Sequence, residues 1–100
     1  MEQKENQVKA YGFMVHPAFM MPFTKKGKQL VEALKEVGDN KYLGVTPDYP
    51  RGLIISCRTE NDAKEVRNIL RFKGIAVISE IREVFVDKQY LEGKGRADNS

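Results

Sequence analysis

The sequence predicts an α+β fold: a ferredoxin-like βαββαβ two-layer sandwich with an antiparallel sheet of order 4132 and two helices on one face. Three observations carry this expectation. Leu34-Lys35-Glu36-Val37-Gly38 echoes Leu70-Arg71-Phe72-Lys73-Gly74 at an offset of 36 residues, and the same offset aligns Gly27 with Ala63, Leu30 with Val66 and Ala33 with Ile69. Each echo closes a helical pattern that has a strand pattern on either side, so the chain reads as two copies of one strand-helix-strand unit. Between the copies, Pro47-Asp48-Tyr49-Pro50-Arg51-Gly52 is dense in turn formers and joins them as a hairpin.

The elements follow in order. Val8 to His16 is the first strand, with Tyr11, Phe13 and Val15 alternating with Ala10, Gly12 and Met14. Both faces are fairly apolar, as a central strand requires, and Pro17 ends it. Thr24 is the N-cap of the first helix, whose stripe is Leu30, Leu34 and Val37, joined by Val31 and Ala33; Gly38 is its stop. Lys41 to Thr46 is a short second strand with Leu43 and Val45 on one face. Leu53 to Arg58 is the third strand, buried at Leu53-Ile54-Ile55. Thr59 with Asp62 resembles a capping box, and Glu60 and Asp62 suit the positive end of the second helix. Ala63, Val66, Ile69 and Leu70 face the core. Ile75 to Val86 holds the last strand, long enough that a break is expected near Ser79-Glu80, and 87–90 continue the edge. Right-handed crossovers are expected to set the first and third strands side by side and parallel at the centre.

The chain has 100 residues, room for one domain: a flexible tail over 1–7, one α+β domain over 8–90, and a second flexible tail over 91–100. No apolar run approaches the roughly 18 residues that span a bilayer, and the polar start lacks the layout of a signal peptide. With a single cysteine, Cys57, no internal disulfide can form, and the reading is cytoplasmic. One His and one Cys cannot supply a zinc set, so no metal or other cofactor is expected. The net charge of +3 is compatible with nucleic acid without demanding it.

The long first strand-to-helix connection is the candidate site. The second unit passes from strand to helix at Arg58-Thr59, whereas the first spends His16 to Phe23 on the same step. Connections longer than geometry requires tend to host function. Phe19, Met20, Met21 and Phe23 make this one apolar. They either fold down to cap the core or form a surface for a protein partner or for self-association. Lys25, Lys26 and Lys28 follow in the first helical turn, where cations oppose the helix dipole. They are either plain solvated charges or, with Thr24, an anion site that His16 and Arg58 would complete from the parallel strand ends. A Cys57–His16 nucleophile pair, or His16 with Lys25, is the enzymatic alternative; against it, Cys57 alternates in phase with Leu53 and Ile55 as a small core residue.

RNA-recognition modules share this fold and stack bases on strand aromatics. Tyr11 or Phe13 could serve on the first strand, but 52–58 contain no aromatic, so a standard module of that kind is disfavoured. The open sheet face is expected to carry Tyr11 or Ala10, Ile54 and Arg58 and to invite a partner. The resulting expectation is a non-enzymatic binding or adaptor module acting through the first connection and the basic helix start. Its partner would be a protein or an anionic ligand, nucleotide or nucleic acid, and the module itself would form a homodimer through the sheet face or an edge.

Overall fold

The computed structural model describes residues 7–38 and 40–87. Its elements are β1 (Gln7–Val15), a 3-10 turn (Pro17–Phe19), α1 (Lys25–Val37), β2 (Gly44–Asp48), β3 (Gly52–Cys57), α2 (Glu60–Phe72) and β4 (Arg82–Asp87). The sheet order is β2-β3-β1-β4, the expected order read from the other edge. Most of 1–7, all of 91–100 and the edge extension over 88–90 lie outside the described residues.

The central pair corrects one expectation. β1 and β3 are antiparallel, in register from Tyr11↔Cys57 to Val15↔Leu53. The reason is in the connectivity. A helical crossover returns the next strand in the direction of the first, so β2 runs with β1; the tight hairpin then turns β3 around. β3 therefore starts where β1 ends. The other two pairings, β1 with β4 and β2 with β3, are also antiparallel.

One sheet face packs against both helices. Phe13, Val15, Leu53, Ile55 and Cys57 meet Leu30, Ala33 and Leu34 of α1 and Ala63, Val66 and Leu70 of α2 in one buried cluster, closed at one end by Phe19 and Ile75. Tyr11 packs against this cluster and so does not belong to the open face. Val31, expected to join the buried stripe of α1, is 40% exposed. Both helices end beside a glycine of positive φ, Gly38 at 93° and Gly74 at 87°, as helix stops require.

Two strand expectations also change. Leu43 precedes β2 and is buried with Ala10 and Val86, whereas Val45 packs on the main core, so the two do not share a face. The last strand is confined to Arg82–Asp87. Upstream of it, Val77 forms a single bridge to Val15, Ile78 N–H donates to Met14 C=O at 2.8 Å, and Met14 N–H donates to Ser79 Oγ at 2.9 Å. A side chain thus replaces a ladder bond at the point where a break was expected.

Candidate functional site

Antiparallel pairing of β1 and β3 gathers four pieces of chain at the end where β1 leaves the sheet. The connection 16–24 begins there. The hairpin 48–52 lies alongside, because Leu53 pairs with Val15. The segment 75–78 crosses the same point, with His16 N–H donating to Ala76 C=O at 2.9 Å. The end of α2 meets the start of α1, where Gln29 Nε2 donates to Lys73 C=O at 2.8 Å. We call this the exit end.

The connection is built tightly. His16 Nδ1 accepts from Ala18 N–H at 2.9 Å and starts the 3-10 turn. Thr24 Oγ1 accepts from Gly27 N–H at 3.0 Å and donates to Met21 C=O at 2.8 Å, tying the helix start to the loop. A Cβ on Gly27 would lie 1.8 Å from Met21 O, so only glycine lets the loop rest on the first turn of α1.

This geometry divides the expected partner surface. Phe19 is buried in the core, and Met20 packs against it. That pair caps the sandwich and is withdrawn from the surface, because the short turn after Pro17 points Phe19 inward. Met21 and Phe23 remain outside, 47% and 75% exposed.

The anion set is also divided. Thr24, Lys25, Lys26, Lys28 and His16 lie at the exit end. Arg58 does not: it follows Cys57, which pairs with Tyr11 at the middle of β1, and the chain then runs away from the exit end. Arg58 lies level with Ala10, six residue steps of strand or about 20 Å from His16, so the shared crevice is not formed. The Cys57–His16 pair is parted in the same way. Cys57 is fully buried, and burial, helped by the Asp62 carboxylate, pushes its thiol up to about 12, far from a reactive thiolate. Among the lysines, Lys26 Nζ sits 5.4 Å from the centre of the Phe19 ring. Lys25 and Lys28 are exposed and have no ionic or ring partner among the described residues.

The exit end holds more than the sequence reading placed there. Tyr49 is 76% exposed at the hairpin tip and Phe72 90% exposed at the end of α2; Ile78, exposed too, lies in the segment that crosses this end. With Met21 and Phe23, these make five of the seven exposed large hydrophobic residues among the described residues, and their elements all reach one end of the molecule. The stretches 16–28, 48–52 and 71–80 also carry six cations against two carboxylates, an excess above the +3 of the whole chain. The signal for Phe72 was present in the sequence. Ala63, Val66 and Leu70 define the buried stripe, and Phe72 lies about 200° around the helix from Leu70.

The open sheet face is different in kind. A basin of about 410 Å³ lies on it, lined by Gly12, Met14, Ile54, Val84, Arg51 and Arg82 among others. Gly12 gives it depth, since a Cβ there would lie 3.3 Å from Ile54 Cγ2 and 3.4 Å from Val84 Cγ2. Arg51 is held by Asp48 at 2.9 Å. The open-face positions 8, 10, 12, 14, 44, 46, 54, 56, 82, 84 and 86 hold no aromatic residue, so bases could not stack there as on an RNA-recognition sheet.

No family model, curated protein or solved structure matches the chain. Among the described residues, no group of three or more His, Cys, Asp or Glu is gathered to hold a metal ion, and no helix is long and apolar enough to cross a membrane.

Proposed function

We propose that this protein is a non-enzymatic binding module that engages an anionic partner through its exit end. One observation carries the reading: exposed large apolar side chains and the positive charge excess are concentrated on the same end. Scattered exposed hydrophobics need no explanation, but gathered ones mark interaction surfaces. The first turn of α1 adds to this. Its free amides and dipole already favour an anion, and Lys25 and Lys28 leave that preference unanswered within the described chain. Pairing of two copies, as the sequence suggests, would use the open face or the β4 edge, because Pro47 withholds a ladder donor on β2.

The test compares two triple variants. Labelled poly-glutamate, a nucleotide panel and a short single-stranded oligonucleotide are titrated in low salt into wild type, into Lys25/Lys26/Lys28→Gln and into Lys9/Lys35/Lys64→Gln. The second variant removes as much charge away from the exit end. Wild type is expected to bind at least one polyanion, more weakly as salt rises. The first variant should lose about tenfold or more, and the second should lose little. Equal losses in the two variants, or no binding by wild type, would end the reading.

A further inference from the structure

We infer that the partner of the exit end is single-stranded nucleic acid, held by bases stacking on Phe23, Tyr49 and Phe72. The inference rests on the proposed binding role of that end and names the partner's chemistry. It comes from how the exposed rings are placed. Each lies within two residues of a cation: Phe23 before Lys25, Tyr49 before Arg51, and Phe72 between Arg71 and Lys73. Three separate elements, the first connection, the β2–β3 hairpin and the end of α2, each offer one ring and at least one cation at the same end. Proteins that track single strands use this combination, with rings to receive bases and cations to follow the phosphates.

The alternatives fit less well. Aromatic and methionine side chains also anchor protein interfaces; what favours nucleic acid here is that three of the five exposed residues carry rings and each ring has a cation within two residues in sequence. Duplex recognition needs a helix or strand set into a groove. At this end both helices present only a terminus, α1 its first turn and α2 its last. The rings stand on loops and a helix end, where they can be reached singly, as unstacked bases require. Three of the cations, Lys25, Lys28 and Arg71, have no ionic or ring partner among the described residues. They are free to meet phosphates without first breaking a contact.

Two fluorescein-labelled probes of equal charge test this: a 12-nucleotide oligo-dT, within the roughly 4–16 nucleotides one small domain covers, and an abasic 12-mer with the same phosphates. Anisotropy titrations at low salt should show oligo-dT binding at least tenfold tighter than the abasic strand. F72A and F23A should each weaken oligo-dT about tenfold, the order expected for one lost stacking contact, and leave the abasic strand unchanged. Both side chains are largely exposed, so these variants should keep the wild-type melting midpoint. The chain contains no tryptophan. F72W therefore supplies a single indole, which should keep the affinity and be quenched on binding oligo-dT but not the abasic strand. Equal affinity for the two strands, or tighter binding of poly-glutamate than of oligo-dT, would overturn the nucleic-acid inference and leave the anion-binding module standing. Absence of binding to every polyanion would overturn both.

Discussion

Thr24 and Thr59 open the two helices with the same bond. In each, the threonine Oγ1 accepts from the backbone N–H three residues on, at 3.0 Å. After that bond the two starts diverge. α2 places Glu60 and Asp62 in its first turn, where carboxylates answer the positive end of the dipole. α1 has no acid in its first turn and instead carries Lys25, Lys26 and Lys28. The chain before each start differs as well. α2 follows β3 almost at once, whereas α1 follows a loop that is seated on Gly27 and anchored in the core by Phe19. Two copies of one unit therefore differ in the charge of the helix start and in the loop before it. The second start has every local feature that favours folding. The first gives up favourable electrostatics and holds a loop at the end where the exposed rings gather.

The strongest way to break this comparison is at the aligned pair Gly27 and Ala63. Gly27→Ala forces a methyl into Met21 C=O, which is backbone and can move only if the loop lifts. The expected loss is about 3 kcal/mol, at the upper end for overpacking. Ala63→Gly in α2 clashes with nothing. It gives up a buried methyl and helix propensity, a loss of about 1–2 kcal/mol. Urea denaturation of both variants gives the two numbers. A Gly27→Ala protein as stable as wild type would mean that the loop is not seated on the helix, and the exit end would lose its rigid base.

The caps test the half of the comparison in which the two starts agree. Thr24→Ala and Thr59→Ala should each cost about 1 kcal/mol, since each strands one amide of a first turn. Thr24 also donates to Met21 C=O, so its removal should expose the 16–24 connection to protease more than the Thr59 change exposes any segment. If Thr24→Ala costs nothing while Thr59→Ala costs about 1 kcal/mol, loop packing alone sets the start of α1.

What could be read from the chain follows the same division. Caps, stops and stripes depend on neighbours in sequence, so Thr24, Thr59, Gly38 and the buried Leu30, Leu34, Val66 and Leu70 were legible, and the 36-residue echo fixed the sheet order. The direction of β3 needed the turn count to be followed through the hairpin. Misreading it put Arg58 and Cys57 beside His16, when the register sets Cys57 level with Tyr11, five residues from His16, and Arg58 one residue further. The loop was ambiguous for a physical reason. Phe19 and Phe23 are the same residue in one apolar run, and only the turn after Pro17 decides that the first is buried and the second exposed. Tyr49 and Phe72 were hidden differently. They are far from the loop in sequence and near it only because hairpin, helix end and loop converge on one end.

The smallest expected effect bears most directly on why the two starts differ. Replacing Lys25 and Lys28 by Glu puts carboxylates at the start of α1, as α2 has at its own, and each change should raise stability by about 0.3–1 kcal/mol at low ionic strength. Glu60→Lys in α2 should lower stability by a similar amount. Both shifts should shrink as salt rises, because exposed charges are screened beyond about 10 Å at 0.1 M. The same Lys25 and Lys28 changes should reduce polyanion binding, while Glu60→Lys, at the far end of the molecule, should leave it near the wild-type value. Stability and binding would then move in opposite directions at one helix start and independently at the other. That pattern is expected if the lysines are kept for a partner at some cost to the fold. Should Lys25→Glu and Lys28→Glu leave low-salt stability unchanged or lower it, the lysines would not be opposing the dipole. The contrast between the two starts would then say nothing about binding.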